Sequence, residues 1–174
     1  GCNKVISRDT SKADRYLDNL AIEMRSYQDA TRHQTVRQLH FGGGTPTFLD
    51  ENQLLRLMDL LHQHFHFAED AELSIEIDPR SCSLEKLRLL RNLGFSRVSF
   101  GVQDFDPAVQ HAIHRVQSVE LVESLVNEAR RLGFTSVNLD LVYGLPHQHC
   151  ESFANTLQEV IRLDPDRISL FSYA

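Results

Sequence analysis

Strand patterns and amphipathic helix patterns alternate along the whole chain, and this order leaves few possible folds. The strand patterns are predicted at residues 36–41, 73–78, 97–103, 136–144 and 168–173. The helix patterns are predicted at residues 11–27, 50–65, 83–94, 118–133 and 153–161. Parallel strands need a crossover connection, which a helix usually provides. The alternation therefore predicts right-handed βαβ units around one parallel sheet, which is either open and doubly wound or barrel-like.

The predicted helices carry the residue types that start and stop helices. Asp50 with Gln53 resembles a capping box, and Ser118 is a typical N-cap residue. Asp106 is followed by a proline, the combination of an N-cap residue with proline at the first helical position. Gly94 is suited to the left-handed position just after a helix. These signals place helix boundaries without using the periodicity of apolar residues.

The three central strand patterns alternate apolar residues with polar or small ones. Central parallel strands that are covered on both faces normally read as near-continuous apolar runs, and a closed eight-stranded barrel fills its centre with bulky apolar side chains. Here the apolar residues can pack under the helices, so the others must share the opposite face. Those others are Ser74, Glu76, Asp78, Ser99, Gly101, Gln103, Ser136, Asn138 and Asp140. The pattern favours an incomplete, wider barrel with a polar ligand in its lumen.

The first strand pattern runs directly into three consecutive glycines, Gly42, Gly43 and Gly44. Glycine permits a positive φ and lets the backbone approach a ligand that a Cβ atom would hold off. Pro46 fixes its own φ and favours an extended conformation at Thr45. We therefore interpret loop 42–47 as a rigid cradle whose main-chain amides and carbonyls face a small ligand.

Polar side chains lie on successive strand patterns close to this glycine loop. Glu76, Gln103 and Asp140 fall at or near the C-terminal ends of their strands, the end at which barrels of this kind place their active sites. His40 precedes the glycines and is expected to face the lumen. One such feature would mean little, but the glycine loop, Glu76, Gln103 and Asp140 together, on successive strands, predict a site.

Histidine and cysteine spacings predict no complete metal site. The histidines with metal-like spacing lie within residues 62–66 and 111–114, without a cysteine or carboxylate to complete a ligand set, so we expect them to be solvated. The cysteines, Cys2, Cys82 and Cys150, are widely spaced and indicate no disulfide framework. We interpret Cys82 and Cys150 as free thiols in a reducing cytosol.

Composition excludes several classes of partner. The chain has 174 residues, with 18 Lys and Arg against 24 Asp and Glu, for a net charge of -6. This balance argues against nucleic acid as a partner. No apolar stretch is long enough to span a membrane, and no signal peptide pattern opens the chain. Because it begins at Gly1 rather than Met and ends in a strand pattern, we expect residues 1–174 to be an internal fragment of one barrel domain.

Several motifs in the same order resemble oxygen-independent coproporphyrinogen III oxidase, or coproporphyrinogen dehydrogenase, a family of the radical S-adenosylmethionine (SAM) superfamily. The motifs are residues 42–47 (GGGTPT), 76–80 (EIDPR), 99–105 (SFGVQDF), Arg115 and 138–146 (NLDLVYGLP). The resemblance covers the whole chain. It implies an α/β fold of the radical SAM type, a partial (β/α)6 TIM-like barrel, with the first strand and the C-terminal part outside this fragment.

The resemblance also implies cofactors and the residues that bind them. A [4Fe-4S] cluster is held in this family by three cysteines, which would lie upstream of residue 1, and one iron stays open to the amine and carboxylate of SAM. Cys2 resembles a fourth cysteine close to the cluster and is the one suspected catalytic residue. The implied cofactor-binding residues are Gly43, Gly44, Thr45, Glu76, Gln103, Arg115, Asp140 and Ala174. The last four correspond to the place where this family binds a second SAM.

The implied reaction is the oxidative decarboxylation of two propionate side chains of coproporphyrinogen III to vinyl groups, which gives protoporphyrinogen IX in anaerobic haem biosynthesis. An electron from the cluster cleaves SAM to methionine and a 5′-deoxyadenosyl radical, which takes a hydrogen from the propionate. The resemblance further implies a cytoplasmic monomer and an electron donor such as a flavodoxin or ferredoxin. No general base is required.

Two other interpretations are open. A related haem chaperone keeps the radical SAM core without the oxidase activity, but it usually lacks the fourth cysteine and has Asn at the position of Asp78, so Cys2, Asp78 and Arg80 favour the oxidase. A phosphate-binding barrel could use the glycine loop as an anion cradle. It would favour a basic lumen, whereas this one carries several carboxylates.

Overall fold

The computed structural model of the protein describes residues 11–173, so Cys2 and Ala174 lie outside the described residues. The strands are β1 (Thr35–Phe41), β2 (His66–Ile77), β3 (Arg97–Gln103), β4 (Ser136–Tyr143) and β5 (Arg167–Ser172). The α-helices are α1 (Ser11–Thr31), α2 (Glu51–His64), α3 (Leu84–Asn92), α4 (Pro107–Ala112), α5 (Val119–Arg131) and α6 (Cys150–Leu163). Two short 3₁₀ turns, Pro46–Phe48 and Pro79–Ser81, follow β1 and β2.

The strands form one parallel sheet in the order β1-β2-β3-β4-β5. In an open doubly wound sheet the strand order reverses at a switch point, whereas here it follows the chain throughout. Of the two arrangements that the sequence left open, the structure therefore has the barrel-like one. The predicted α/β partial barrel is confirmed for the described residues.

The hydrophobic core lies between the convex face of the sheet and the helices. The apolar members of the alternating strands point into it, including Ile75, Ile77, Val98, Phe100, Val137 and Leu139, all 2% exposed or less. Leu54, Leu87 and Leu125 close the core from α2, α3 and α5. Because the apolar faces are used in this way, the polar faces of the same strands line the concave side.

The predicted helix boundaries are confirmed at their caps. Asp50 accepts a hydrogen bond from the backbone N–H of Gln53 at 2.9 Å, and the side chain of Gln53 accepts one from the backbone N–H of Asp50 at 3.1 Å. Asp106 caps α4 with Pro107 as its first residue, and Ser118 caps α5. Gly94 follows α3 with a φ of 97°. These local signals hold because they act on the nearest backbone groups.

Several elements extend beyond their predicted bounds, and helix α1 ends at Thr31 rather than at residue 27. Strand β2 begins at His66 rather than at residue 73, because its first residues pair with Thr35 and Val36 of β1. The charged residues between 69 and 72 hide this part from an apolar pattern. Helix α6 begins at Cys150 rather than at 153, with the backbone N–H of His149 donating to Ser152 Oγ at 3.0 Å. Histidine is not a typical cap residue, so the sequence did not indicate that α6 starts after His149.

The helices within residues 11–173 are all too short or too polar to cross a membrane.

Candidate functional site

A polar cavity of about 280 Å³ opens on the concave face of the sheet. Its lining includes His40, Ser74, Glu76, Arg97, Ser99, Ser136, Asn138, Asp140, Arg167 and Ser169. Strand register sets these side chains in rows across neighbouring strands: His40 is opposite Ser74, and Glu76 is opposite Ser99. The predicted polar lumen is therefore confirmed, and His40 faces it as expected.

The glycine loop has the backbone that the sequence predicts. Gly43 and Gly44 adopt φ values of 69° and 55°, in the left-handed region that other residues rarely occupy. Gly42 is required for a different reason, since a Cβ atom there would lie 2.6 Å from His40 Nε2 and 3.0 Å from Glu76 Oε1. Thr45 is extended, with φ -147° and ψ 94°. The loop is thus a defined turn that keeps its surface open.

Glu76 is held at the base of this loop by groups from β1 and β2. The backbone N–H of Gly43 donates to Glu76 Oε2 at 3.1 Å, and His40 Nε2 lies 3.4 Å from Glu76 Oε1. Ser74 Oγ donates to the Leu39 carbonyl at 3.2 Å and lies 2.8 Å from His40 Nδ1, so the imidazole is fixed with its Nε2 edge toward Glu76. A half-exposed carboxylate is therefore fixed beside the glycines, where it can accept from a ligand hydroxyl.

Gln103, Arg115 and Asp140 come together around Gly101. Gln103 has a φ of 67°, and the register between β3 and β4 shifts between Gly101 and Gln103. A Cβ atom on Gly101 would lie 3.0 Å from Gln103 Nε2 and 3.1 Å from Arg115 Nη2. Asp140 is opposite Gly101 on β4. A small residue at position 101 thus lets a side-chain amide, a guanidinium and a carboxylate share one corner of the lumen.

Burial sets the charge properties of this corner. Burial raises the pKa of Asp140 above its ordinary value; a hydrogen bond from Ser99 opposes this rise and the charge of Glu76 adds to it. Burial also lowers the pKa of Arg115, which the charge of Asp78 partly offsets. Arg115 Nη2 donates to the Gly101 carbonyl at 3.1 Å, while its buried Nε has no partner among the described residues. An unpaired buried N–H donor and a partly desolvated carboxylate suit a polar ligand.

Asp78 lies beyond the end of β2 and does not line the lumen cavity, although the sequence placed it on that face. It accepts hydrogen bonds from Arg80 Nη2 at 2.7 Å and Nε at 3.0 Å, and Arg115 Nη2 lies 3.4 Å from its Oδ2. Burial raises the pKa of Asp78, but the hydrogen bonds from Arg80 and the charge of Arg115 outweigh it, so the pKa lies below its ordinary value. Asp78 and Arg80 therefore hold Arg115 in place.

The sequence did not reveal how the glycine loop is anchored. Lys86 Nζ donates to the carbonyls of Thr47 and Leu49 at 2.8 and 3.0 Å, and Thr47 Oγ1 lies 2.9 Å from Ser81 Oγ. These contacts tie the loop to α3 and to the turn after β2. Lysine in an amphipathic helix is usually solvated, so the sequence carried no signal of this contact; in the structure Thr47 is buried at 2% exposure.

The histidines and cysteines form no metal site in residues 11–173. His62 is exposed and packs its ring on Phe67 at 4.7 Å. The expectation of a solvated side chain is wrong for His64, because its Nδ1 is buried without a partner in this part of the chain. Cys82 and Cys150 are free, as predicted; burial raises the pKa of Cys82 to about 12.

A second cavity of about 730 Å³ lies on the other side of the glycine loop, between that loop and helices α1 and α2. Apolar side chains form much of its wall, among them Tyr16, Leu20, Met24, Leu57 and Leu61. Gly42, Gly43, Gly44 and His40 border it as well. The glycines therefore line the apolar cleft and not the polar cavity, whereas His40 lines both, and Glu76, which the Gly43 amide contacts, lines the polar cavity.

Comparison with known proteins gives consistent results. The sequence model of the Radical SAM superfamily matches residues 8–160. Oxygen-independent coproporphyrinogen III oxidases from Salmonella typhimurium and Pseudomonas aeruginosa are 53% and 50% identical, over 100% and 99% of this chain. The chain spans 38% of the length of each of these relatives.

Solved structures agree with these sequence matches. Coproporphyrinogen III oxidase (HemN) from Escherichia coli, a radical SAM enzyme, superimposes with a TM-score of 0.97 at 52% identity, over 100% of this chain and 40% of its own. The archaeal Elp3 from Methanocaldococcus infernus superimposes with a TM-score of 0.66 at 18% identity, over 88% of this chain and 40% of its own. The second match supports the fold alone.

Proposed function

This chain belongs to the radical SAM superfamily, and we propose that it forms part of an oxygen-independent coproporphyrinogen III oxidase. The protein would convert two propionates of coproporphyrinogen III to vinyl groups and release protoporphyrinogen IX. Identity of 53% along the whole chain supports this assignment. The observation that carries it is that Glu76, which lines the polar lumen, accepts a hydrogen bond from the Gly43 amide, while Asp140 lines the same lumen opposite Gly101.

The glycine loop and Glu76 fit the requirements of a first SAM. The methionine end of SAM carries an amine and a carboxylate, and carbonyls of Gly43 and Gly44 can accept from the amine where a side chain would be in the way. Thr45 continues this backbone surface. Glu76, fixed by the Gly43 amide and faced by His40, accepts from ribose hydroxyls, for which a carboxylate is well suited.

The Gly101 corner fits a second SAM. Arg115 offers a buried Nε–H without a partner in residues 11–173, and a guanidinium suits the SAM carboxylate. Gln103 can both donate and accept, and Asp140 accepts from an amine or from hydroxyls. Ala174, which lies outside the described residues, would complete this subsite by resemblance. The number of SAM molecules is part of the proposal.

When bound, SAM and a [4Fe-4S] cluster supply the one-electron chemistry that removes hydrogen from the propionate. The cysteines that hold the cluster would come from a part of the protein preceding residue 1, with Cys2 close by. The residues of this chain bind, orient and exclude water, which is the usual share of a protein in cofactor chemistry. Loss of carbon dioxide from the propionate needs no general base, so none of the histidines is assigned one.

The proposed protein acts as a monomer in the cytoplasm, with a flavodoxin or ferredoxin as electron donor. A net charge of -6 disfavours nucleic acid as a partner. Membrane association is not required, because the oxidase substrate carries four propionates and is handled in a polar lumen.

Anaerobic turnover by the full-length protein tests this function. Reconstituted protein supplied with SAM, a reductant and coproporphyrinogen III should form vinyl product, and Glu76→Gln should reduce the turnover strongly. Glu69→Gln is the matched control, since Glu69 lies on the same strand but is exposed and does not line the lumen cavity. The assignment would be lost if no vinyl product formed while the protein bound haem tightly, as the haem chaperone does.

A further inference from the structure

A buried polar network lies behind the lumen, where β3 ends. We define the Asp104 network as Asp104, Gln110, Gln117, Gln148 and Thr156. Asp104 has no exposed surface, and Thr156, Gln110 and Gln117 are only 2%, 3% and 6% exposed. Buried polar groups of this kind are costly unless they are hydrogen-bonded. None of these side chains lines the lumen cavity.

Asp104 is the centre of the network. Its Oδ1 accepts from Thr156 Oγ1 at 2.6 Å and from the backbone N–H of Asp106 at 2.7 Å, and its Oδ2 accepts from Gln148 Nε2 at 2.5 Å. The backbone N–H of Phe105 donates to Thr156 Oγ1 at 3.1 Å. The carboxylate therefore joins the end of β3 to α6 and to the loop that precedes α6.

The two buried glutamines act on the backbone around Gln103. Gln117 Nε2 donates to the Val102 carbonyl at 2.7 Å, and Gln110 Nε2 donates to the Asp104 carbonyl at 2.9 Å. The carbonyls on both sides of Gln103 are thus fixed by side chains from outside the sheet. The φ of Gln103 is 67°, a backbone conformation that costs on the order of 1 kcal/mol and persists only when its surroundings hold it.

The same glutamines fix the segment that carries Arg115. Gln110 Oε1 accepts from the backbone N–H of Gln117 at 3.1 Å, and Gln110 Nε2 also donates to the Gln117 carbonyl at 2.9 Å. The Gly101 carbonyl accepts from Arg115 at 3.1 Å and from Gln117 at 3.4 Å. One buried network therefore sets the positions of both Gln103 and Arg115, although none of its own side chains lines the lumen cavity.

We infer that the Asp104 network is a positioning device for the proposed second SAM subsite. Its members do not touch the ligand; they hold Gln103 in its left-handed conformation and Arg115 beside Gly101 before a ligand arrives. This inference rests on the proposed function, because it names a ligand for the corner that Gln103 and Arg115 form. It predicts that damage to the network weakens the second SAM and leaves the first unchanged.

The test is equilibrium dialysis of labelled SAM against full-length, cluster-loaded protein. Thr156→Val keeps the side-chain volume and removes the hydroxyl that both donates to Asp104 and accepts from Phe105. The affinity of the second SAM should fall about tenfold, the effect of losing one hydrogen bond to a charged group, while the affinity of the first stays within twofold. Thr156→Ser should restore the second affinity.

A matched control separates positioning from general destabilisation. Glu128 is 8% exposed on α5 and pairs with Arg88 at 2.9 Å, far along the chain from the end of β3. Glu128→Gln should lower the melting temperature without changing either SAM affinity. If Thr156→Val fails to fold, Gln148→Met serves in its place, since Gln148 lies on a loop and donates to Asp104 from a half-buried position.

The outcomes distinguish this inference from the proposed function. Two SAM molecules bound at unchanged affinity in Thr156→Val, or equal losses at both sites, would overturn the positioning role while turnover still supported the oxidase. A wild-type protein that binds one SAM and makes vinyl product would also overturn it, because the second ligand would not exist. Absence of vinyl product from wild-type protein would count against the proposed function instead.

Discussion

Two residues of the proposed site have features that destabilise the folded protein, one in its backbone conformation and one in its charge. Gln103 has a positive φ, and Asp140 is a partly buried carboxylate with a raised pKa. Strained backbone conformations and shifted pKa values are common at ligand-binding sites, where they serve binding. Both features fall on residues proposed to bind SAM, and the effect of each can be measured by substitution.

Gly44→Ala tests the conformational role of the glycine loop. A Cβ atom at Gly44 would meet nothing within 4 Å, so the substitution strains only the backbone at φ +55°, by about 1 kcal/mol. Gly133, at φ +80° after α5, also has open space. Gly133→Ala should lower the melting temperature of full-length protein similarly, but only Gly44→Ala should weaken binding of the first SAM in calorimetry. Equal SAM affinities in the two variants would show that the glycine loop is not part of the SAM-binding site.

Asp140→Asn should stabilise the protein without ligand and weaken the second SAM. Burial holds the folded pKa of Asp140 above its unfolded value. The contribution of Asp140 to the free energy of unfolding is therefore present at low pH and is lost as pH rises through the folded pKa. At pH 7 the neutral amide avoids that loss, so the melting temperature should rise. The gain should disappear below about pH 4, where the unfolded carboxyl is protonated.

Asp78→Asn is the opposite case, at a carboxylate that lies outside the lumen cavity and beside Arg115. The folded pKa of Asp78 lies below its ordinary value, so its stabilisation is present above the unfolded pKa and is lost as pH falls. Asp78→Asn should therefore lower the melting temperature at pH 7 and approach wild type below about pH 4. If Asp140→Asn and Asp78→Asn shift the melting temperature in the same direction at pH 7, the opposite pKa directions assigned to these two carboxyl groups are wrong.

At the scale of elements, the position of the glycine loop depends on a helix that never touches the lumen. Lys86→Met should free the carbonyls of Thr47 and Leu49. We expect faster amide hydrogen exchange in residues 44–49 and a SAM affinity reduced severalfold. Arg88→Met is the control, since Arg88 is on the same helix but pairs with Glu128. Unchanged exchange in Lys86→Met would show that the loop is held by its own backbone.

The elements also show what the sequence could predict. Lumen polarity followed from the alternation of residue types, because side chains of successive residues point to opposite faces of a strand. That polarity in turn favoured the barrel-like arrangement over the doubly wound one. The caps at Asp50, Asp106 and Ser118 were predictable because they act within three residues. The Asp104 network was not, since Thr156 meets Asp104 across 52 positions of sequence and neither residue type signals a partner. Pairing of the first residues of β2 with β1 was missed because the charged residues between 69 and 72 interrupt the apolar pattern.

At the scale of the whole molecule, the lumen and the proposed cluster site would depend on different parts of the protein. This chain spans 38% of the length of the Salmonella relative, and it carries the strands that form the polar lumen. Iron–sulfur clusters are held by cysteine thiolates. The chain contains three cysteines, at positions 2, 82 and 150. The proposed SAM contacts on this chain can therefore be separated experimentally from cluster binding.

The 174-residue chain alone should not assemble a [4Fe-4S] cluster. Burial raises the pKa of Cys82 to about 12, so at pH 8 it stays a thiol and is not available as a ligand. Cys150 is exposed but has no other potential metal ligands grouped with it in residues 11–173. Anaerobic reconstitution with iron and sulfide should give no cluster absorbance and no bound iron, and Cys82→Ser with Cys150→Ser should change nothing. Full-length protein in the same experiment should bind four iron atoms if it carries one such cluster. Four iron atoms on the short chain would place cluster ligands among residues 1–174 and would require a new assignment for Cys2.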